Sequence, residues 1–275
     1  RIVKNVAIRL PAQPIRIARH MMPSSGFIIP ISPHMTANPQ AKVITTQPPP
    51  KPLECFSNEL ATTPSPSRIS KAVPINSNRH FVNKEIEKLQ EIIDDSENIV
   101  FFGGAGVSTE SNIPDFRSAD GLYQQKYKYS PEQIVSHTFF MRNTEGFYEF
   151  YKEKMMFLDA KPNAAHKKLA ELEKAGKLKA IITQNIDGLH QAAGSKNVLE
   201  LHGSIHRNYC MKCHKFYDAA YVKNASGIPR CTCGGMIKPD VVLYEEGLDS
   251  DVISRSIKAI SEADTLIIGG TSLVV

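Results

Sequence analysis

The chain has 275 residues, 41% of them hydrophobic, which is enough for one large or two smaller domains with buried cores. Its net charge of +5 is uneven, because residues 1–80 carry ten Lys and Arg against two acids, whereas residues 81–275 have a net charge of −3. The sequence therefore predicts no nucleic-acid-binding face on the folded part. No apolar run approaches the roughly eighteen residues of a membrane span, so we expect a soluble protein without membrane contact.

Residues 1–80 form a basic leader that contains thirteen of the eighteen prolines. Proline fixes φ and lacks a backbone N–H, so we expect this leader to be largely disordered. Its composition resembles an organellar transit peptide. An untidy gene boundary is the favoured explanation, since the chain does not begin with Met. We expect a cytoplasmic protein, with a mitochondrial location as the alternative if the leader is a genuine transit peptide.

From residue 81 the pattern predicts helices and strands in alternation. Apolar residues at helical spacing predict an amphipathic helix directly after residue 81. Further helices are predicted over 144–158, 163–175, 187–194 and 251–262, the last with Asp249 or Ser250 as its cap. Short apolar runs predict buried parallel strands at 98–102, 179–183, 198–201 and 265–268. This order is typical of an α/β fold with a doubly wound parallel sheet, which binds ligands at the carboxyl ends of its strands.

A glycine-rich turn at 103–108 follows the first of these strands. Glycine lets the backbone approach a pyrophosphate, and a helix N-terminus after the turn would offer free N–H groups. Such turns also end many strands that bind nothing. The dehydrogenase spacing G-x-G-x-x-G is absent, because Ser108 and Thr109 follow Gly104-x-Gly106. The turn thus favours a phosphate-binding loop outside the ordinary dehydrogenases.

Polar groups follow the other predicted strands. Gln184, Asn185 and Asp187 suit ribose hydroxyls or a carboxamide, and they also suit the capping of the next helix. His202 follows the third strand, where a neutral imidazole can act as a general base near pH 7. A single histidine is more often a packing or surface residue. Because the carboxyl ends of parallel strands share one edge, we expect these groups and the segment 269–272 to form one active crevice.

Four cysteines have metal-ligand spacing, in the order Cys210-x-x-Cys213, a gap of seventeen residues, and Cys231-x-Cys233. Two thiolate pairs on tight turns can close a tetrahedral shell around a structural zinc ion. Gly234-Gly235 supplies the backbone freedom that the shorter second pair needs. Ligation is favoured over disulfides, which indicates a reducing compartment. Replacement of one cysteine ligand by His206 or His214 is a less favoured alternative.

In chain order these segments resemble the sirtuin family of NAD-dependent protein-lysine deacylases, in its bacterial type. The matching segments are Gly104-Ala105-Gly106-Val107-Ser108, Ile113-Pro114-Asp115-Phe116-Arg117, Thr183-Gln184-Asn185-Ile186-Asp187, Leu201-His202-Gly203, the four cysteines, Lys238-Pro239-Asp240-Val241-Val242 and Gly270-Thr271-Ser272-Leu273. They cover the chain from about residue 82 to residue 275.

The resemblance implies a Rossmann-like catalytic domain over 81–275, with an inserted zinc-ribbon domain at about 204–240 and a cleft for NAD and acetyl-lysine between them. It implies that NAD is held by Gly104, Ala105, Gly106, Ser108, Thr109, Asp115, Phe116, Arg117, Gln184, Asn185, Ile186, Asp187, Gly270, Thr271 and Ser272. His202 would be the general base. The segment with Val241, Val242 and Tyr244 would pair with the acetylated protein or peptide by strand addition. The implied products are free lysine, nicotinamide and O-acetyl-ADP-ribose.

Three features depart from the family pattern. Tyr244-Glu245-Glu246 stands where the family commonly has Phe-Gly-Glu, which alters the clamp on the acyl-lysine. Tyr148-x-x-Tyr151 stands where members that prefer acidic acyl groups carry Tyr-x-x-Arg. Without that arginine we expect a preference for uncharged acyl groups, although the neighbouring Lys152 argues the other way. The chain stops at Val275, where the family continues, so we expect an incomplete catalytic domain.

Two other functions stay open at this point. A protein ADP-ribosyltransferase would use the same cofactor and the same crevice. A non-catalytic zinc-ribbon binding protein would need basic and aromatic residues around the cysteines, whereas Lys212, Lys215 and Arg230 are scattered. We expect no direct nucleic-acid partner, and the pattern does not determine the oligomeric state.

Overall fold

The structure, a computed structural model, describes residues 5–9, 76–115 and 128–273. The elements are β1 (Asn5–Arg9), α1 (Asn76–Asp95), β2 (Ile99–Gly103), α2 (Pro131–Ile134), α3 (His137–Arg142), α4 (Thr144–Lys154), α5 (Ala164–Lys174), β3 (Leu178–Thr183), α6 (Leu189–Ala192), β4 (Val198–Glu200), β5 (Gly203–Cys210), β6 (Phe216–Tyr217), α7 (Ala219–Asn224), β7 (Ile237–Val241), α8 (Ser250–Ser261) and β8 (Thr265–Gly269). Two short 3-10 turns, Ala105–Val107 and Thr109–Ser111, follow β2.

The main sheet has the strand order β1-β8-β2-β3-β4. Strands β8, β2, β3 and β4 are parallel, and β1 pairs antiparallel with β8 at the edge. The parallel strands are nearly continuous apolar runs because both faces of the sheet are covered. Phe101 and Ile181 belong to a core with α5, whereas Val100 and Ile182 belong to a core on which α8 packs. The predicted Rossmann-like parallel sheet is confirmed.

Local capping sets the start of α5 and α8, two of the helices that pack on this sheet. The Asn163 side chain accepts hydrogen bonds from the backbone N–H groups of Ala165 and His166 and thereby begins α5. The Asp249 side chain accepts from two N–H groups of α8, so Asp249 is the cap. Each cap satisfies N–H groups that a helix cannot pair internally.

A second, antiparallel sheet has the order β6-β5-β7. The helix predicted at 144–158 is the shorter α4, and it packs against this sheet and not against the parallel one. Its aromatic residues Phe147, Tyr148 and Tyr151 are fully buried with Ile205 and Ile237. Aromatic side chains bury large areas, so this stripe accounts for much of the core under the second sheet.

An ion-pair bridge joins the two sheets beside the crevice. Arg207 in β5 donates through Nη1 to Glu200 in β4 and through Nε to Asp240 in β7, each at 2.7 Å. Planar guanidinium groups fit carboxylates well, so Arg207 links β4 of the parallel sheet to β5 and β7 of the second sheet.

The leader is described only at its two ends. Asn5–Arg9 forms β1 and α1 begins at Asn76, so both places have regular structure. Residues 10–75 lie outside the described residues, and their disorder stays a prediction. Among the described helices, none combines the length and the apolar character that crossing a membrane requires.

Candidate active site

The strand-end segments predicted to carry function meet at one edge of the parallel sheet. The Gly104 N–H donates to Gly269 O at 3.1 Å, and the Gln184 N–H donates to Gly103 O at 2.9 Å. The Leu201 N–H donates to Thr183 O at 2.9 Å, which brings His202 to the same edge. The predicted convergence on a single crevice follows from this register.

The glycines at the crevice floor allow two chain segments to cross closely. The Gly106 N–H donates to Gly270 O at 2.8 Å, and a Cβ on Gly106 would lie 2.8 Å from the Gly270 Cα atom. A Cβ on Gly104 would lie 2.7 Å from Gln184 Oε1. Gly270 has φ +63°, in the region that favours glycine. A side chain at Gly104 or Gly106 would collide with the neighbouring segment, so the close crossing requires glycine.

Thr271 and Gln184 form the wall beside the glycine turn. Thr271 Oγ1 donates to Gln184 Oε1 at 2.8 Å, and the Leu273 N–H donates to Thr271 Oγ1 at 3.2 Å. Ser272, next in the chain, is exposed. Thr109 lies across the turn and donates through Oγ1 to Gly106 O at 3.1 Å. Hydroxyl and amide groups thus surround the backbone of the turn.

A polar cluster of Ser108, Asn185 and Asp187 lies behind the turn. Ser108 Oγ donates to Asp187 Oδ2 at 2.6 Å and accepts from Asn185 Nδ2 at 3.1 Å. The other oxygen of Asp187 accepts the Leu189 N–H at 2.9 Å, at the start of α6. Asp187 thus links the cluster to the first N–H of α6, whose N-cap position is Gly188, and its predicted contact with ribose stays a prediction.

His166 and His190 are buried residues of this region that the sequence did not indicate. His166 Nδ1 accepts the Asn163 N–H at 3.3 Å, so its proton lies on Nε2, which is 3.5 Å from Ser108 Oγ. The His190 ring centroid is 4.7 Å from that of His166. The segment Pro162-Asn163-x-x-His166 is a capping-box pattern and was the available signal for His166.

His202 is held in one tautomer by the backbone of the neighbouring strand. Nδ1 lies 2.8 Å from Gln184 O, and because a carbonyl oxygen only accepts, Nδ1 carries the proton and Nε2 keeps its lone pair. Burial lowers the pKa of His202, against the opposing effect of the Gln184 hydrogen bond. The imidazole is therefore neutral at pH 7, which is the form a general base requires.

The backbone around His202 joins the crevice to β7. Gly203 has φ +75°, and a Cβ there would lie 1.9 Å from Asp240 O. The Val242 N–H donates to His202 O at 3.0 Å. The side chain of Val241 is buried, whereas Tyr244 is 40% exposed. Of the predicted peptide-contacting residues, Tyr244 thus presents an exposed side chain, whereas Val242 is half-buried.

The segment after the glycine turn is described only in part. Asp115 is half-buried, and Ile186 in the Gln184 segment is also half-buried beside the second-sheet core. Phe116 and Arg117 lie outside the described residues, so their predicted contacts with NAD stay predictions.

The four cysteines converge as predicted, with all four Sγ atoms within 4.8 Å of one another. A Cβ on Gly235 would lie 2.6 Å from Cys210 Sγ, so the chain is shaped around the sulfur group. The Cys233 N–H donates to Cys231 Sγ, and this bond, together with that from the Tyr217 hydroxyl and those from the neighbouring thiols, lowers the pKa of the Cys231 thiol to about 5. Four sulfur donors at this spacing fit a tetrahedral structural zinc ion.

The histidine alternatives for this metal site are not supported. His206 Nε2 lies 3.0 Å from Asp187 O, which places that ring at the crevice. Among the described residues, the cluster that includes these sulfurs comprises the four cysteines alone. A closed set of four sulfurs leaves no open coordination position for catalysis.

Comparison with known proteins identifies the family. The Sir2 family model matches residues 104–275, more than half of the chain. An NAD-dependent protein deacetylase of Clostridium acetobutylicum is 68% identical over 195 residues, which cover 70% of this chain and 80% of that protein. A solved structure described as "Structural Basis for the Mechanism and Regulation of Sir2 Enzymes" aligns with a TM-score of 0.63 and 46% identity, over 70% of this chain and 78% of that chain.

A second solved structure, described as "Sir2-p53 peptide-NAD+", aligns with a TM-score of 0.57 and 40% identity, over 65% of this chain and 72% of that chain. These values confirm the resemblance drawn from the ordered motifs, and the arrangement of the crevice agrees with it. The chain belongs to the Sir2 family.

Proposed function

We propose that this chain is an NAD-dependent protein-lysine deacetylase that uses His202 as its general base. The observation that carries the proposal is the His202 ring, fixed through Nδ1 to Gln184 O at the edge where the glycine turn and the Ser108–Asp187 pair also lie. The deacetylase name of the clostridial relative supports the reaction. The neighbour described with a p53 peptide and NAD supports the substrate and the cofactor.

Different crevice residues would bind different parts of NAD. The backbone of Gly104, Ala105 and Gly106 would approach the phosphates, with the hydroxyls of Thr271 and Ser272 beside them. The proposed set also includes Ser108, Thr109, Asp115, Phe116, Arg117, Gln184, Asn185, Ile186, Asp187 and Gly270. When bound, NAD supplies an electrophilic ribose carbon and nicotinamide as a leaving group. The zinc ion is not among the groups proposed to hold NAD.

His202 would move one proton during the reaction. Its Nε2 lone pair accepts a ribose hydroxyl proton, while the Nδ1–H bond to Gln184 O keeps the ring oriented. The crevice would bring the acetyl oxygen of the substrate to the ribose carbon that carries nicotinamide. Nicotinamide would leave, water would be consumed, and the acetyl group would pass to the ADP-ribose as free lysine is released. Burial keeps the ring neutral before that transfer.

The second sheet would serve as a zinc-braced module of the catalytic domain. We assign residues about 204–240 to it, within a catalytic domain over 81–275 that follows the leader. The buried aromatic residues of α4 also pack into this module. The zinc ion would stabilise its loops without taking part in the chemistry.

The acyl group is proposed to be uncharged. Tyr151, in place of an arginine, is fully buried and offers no positive charge to a carboxylate. Lys152 is committed elsewhere, because its Nζ donates to Ala225 O at 2.5 Å and to Gly227 O at 2.7 Å. A succinyl carboxylate would therefore lack a bidentate partner. Equal turnover of succinyl-lysine and acetyl-lysine peptides would contradict this preference.

A nicotinamide-release assay with an acetyl-lysine peptide tests the proposed function. His202→Asn removes the base while keeping a polar group of similar size, and we expect release to fall by about a hundredfold or more. His214→Asn is the matched control, since His214 is exposed and its positive φ suits Asn. Equal release by the His202→Asn and wild-type proteins would remove His202 from the mechanism.

Mass spectrometry of the same peptide separates the two NAD-dependent reactions. A deacetylase removes the acetyl group, whereas an ADP-ribosyltransferase adds an ADP-ribosyl group. We expect loss of the acetyl group alone.

A cytoplasmic location is proposed because ligation of zinc by four thiolates favours a reducing compartment. We also expect no shift of a nucleic acid in a gel at physiological salt.

A further inference from the structure

The segment 241–246, here called the peptide segment, is fastened on two sides. On the crevice side, Val241 pairs with Gly203 and the Val242 N–H donates to His202 O. On the opposite side, the Tyr244 N–H donates to Val135 O at 3.0 Å, and Tyr244 O accepts the His137 N–H at 2.9 Å. The peptide segment therefore runs between the base and the start of α3.

Glu245 holds a backbone conformation that its residue type disfavours. Its φ of +76° lies in the left-handed region, at the position where the sirtuin pattern commonly has Gly. A strained residue persists only where its surroundings hold it in place. Here the side chain supplies a contact, since Glu245 Oε2 accepts the Thr138 N–H in the first turn of α3 at 2.8 Å.

The next carboxylate fixes the turn itself. Glu246 Oε2 accepts the Leu243 N–H at 2.9 Å and pairs with Lys238 Nζ at 3.0 Å. Glu246 Oε1 lies 2.9 Å from His137 Nδ1. Glu246 thus closes the turn onto β7, and Glu245 adds a direct contact from the turn to the α3 backbone. The contact of Glu245 can be removed without opening the turn.

We propose that Glu245 is a positioning residue that fixes the peptide segment to α3 and thereby strengthens binding of the acetylated peptide. The inference rests on the proposed function, in which the peptide adds as a strand along this segment. A strand that is ordered before the peptide arrives loses less conformational entropy on binding. Within the part of the chain that the structure describes, the Glu245 carboxylate bonds to α3 and not to a crevice residue, so we expect binding of NAD and the proton transfer at His202 to stay unchanged.

Three substitutions separate the contact from the strain. Glu245→Gly removes the carboxylate and relieves the left-handed strain. Glu245→Asn tolerates positive φ and adds less flexibility than glycine, but its side chain is too short to reach the Thr138 N–H. Glu245→Gln keeps an acceptor oxygen at the same reach. A role in backbone strain alone predicts that Gly and Asn leave binding intact, whereas loss of the contact predicts that both weaken it.

The measurements are the KM for an acetyl-lysine peptide, the KM for NAD, kcat, and amide hydrogen exchange at Tyr244. We expect Glu245→Gly and Glu245→Asn to raise the peptide KM by about five- to tenfold and to speed exchange at Tyr244. The KM for NAD and kcat should stay within about twofold, and Glu245→Gln should resemble the wild type.

Three results would overturn the inference. One is a wild-type peptide KM in both the Gly and Asn variants. Another is a fall in kcat, or in the affinity for NAD, that is as large as the rise in the peptide KM. Such a result would indicate damage to the crevice. A wild-type protein that neither releases nicotinamide nor binds the peptide would overturn the proposed function, and this inference with it. An active wild type with unaffected variants would overturn this inference alone.

Discussion

His190 should make the protein lose stability in mild acid. The residue is 1% exposed, and among the described residues neither ring nitrogen has a hydrogen-bond partner. Burial, with a further contribution from His166, lowers the pKa of His190 from 6.5 to about 3. The folded protein therefore keeps this ring neutral over a range of pH in which the unfolded chain protonates it.

The sign and size of the effect follow from these two pKa values. Because the unfolded state binds the proton first, the free energy of unfolding falls as the pH drops below 6.5, and it continues to fall until about pH 3. At pH 5 the unfolded ring is mostly protonated and the folded ring is not, which costs about 2 kcal/mol relative to pH 8.

His190→Phe tests this reasoning, since it keeps a flat ring in the site and cannot protonate. Urea unfolding at pH 8 and pH 5 gives the free energy of unfolding of both proteins. The wild type should lose about 2 kcal/mol more than the variant between the two pH values. Carboxylates and zinc-binding thiols titrate in both proteins and cancel. Equal losses in the two proteins would refute the reasoning.

Three further predictions concern the base, the turn beside it and the metal. Gly203→Ala should lower the free energy of unfolding by at least about 3 kcal/mol and abolish nicotinamide release, because the added Cβ would collide with Asp240 O. A variant that is stable in thermal unfolding and active in the release assay would contradict this. Purified protein should contain about one zinc ion per chain by elemental analysis, and the Cys210→Ser variant should lose this ion. A full zinc content in that variant would exclude the four-sulfur site. The acidic limb of the pH profile of kcat/KM should lie below pH 6.5, since burial lowers the pKa of His202; a limb above that value would argue against His202 as the base.

The fold class and the meeting of the strand-end segments at one sheet edge were predictable because their signals are local. Apolar runs such as Ile99–Gly103 and Leu178–Thr183 identify buried parallel strands, and parallel strands place their carboxyl ends at one edge. The cap at Asp249 and the spacing of the cysteines are equally local signals. Each depends on neighbours along the chain, so the sequence alone determines it.

Tertiary structure decided which groups face one another. The aromatic pattern of α4 predicts a helix, yet its burial against the second sheet depends on Ile205 and Ile237, far along the chain. Likewise, His190 is an ordinary histidine in the sequence, and its low pKa arises from its burial in the fold and from the neighbouring His166 of α5. Burial and electrostatic environment come from residues distant in the sequence, and they become visible only when the chain is folded.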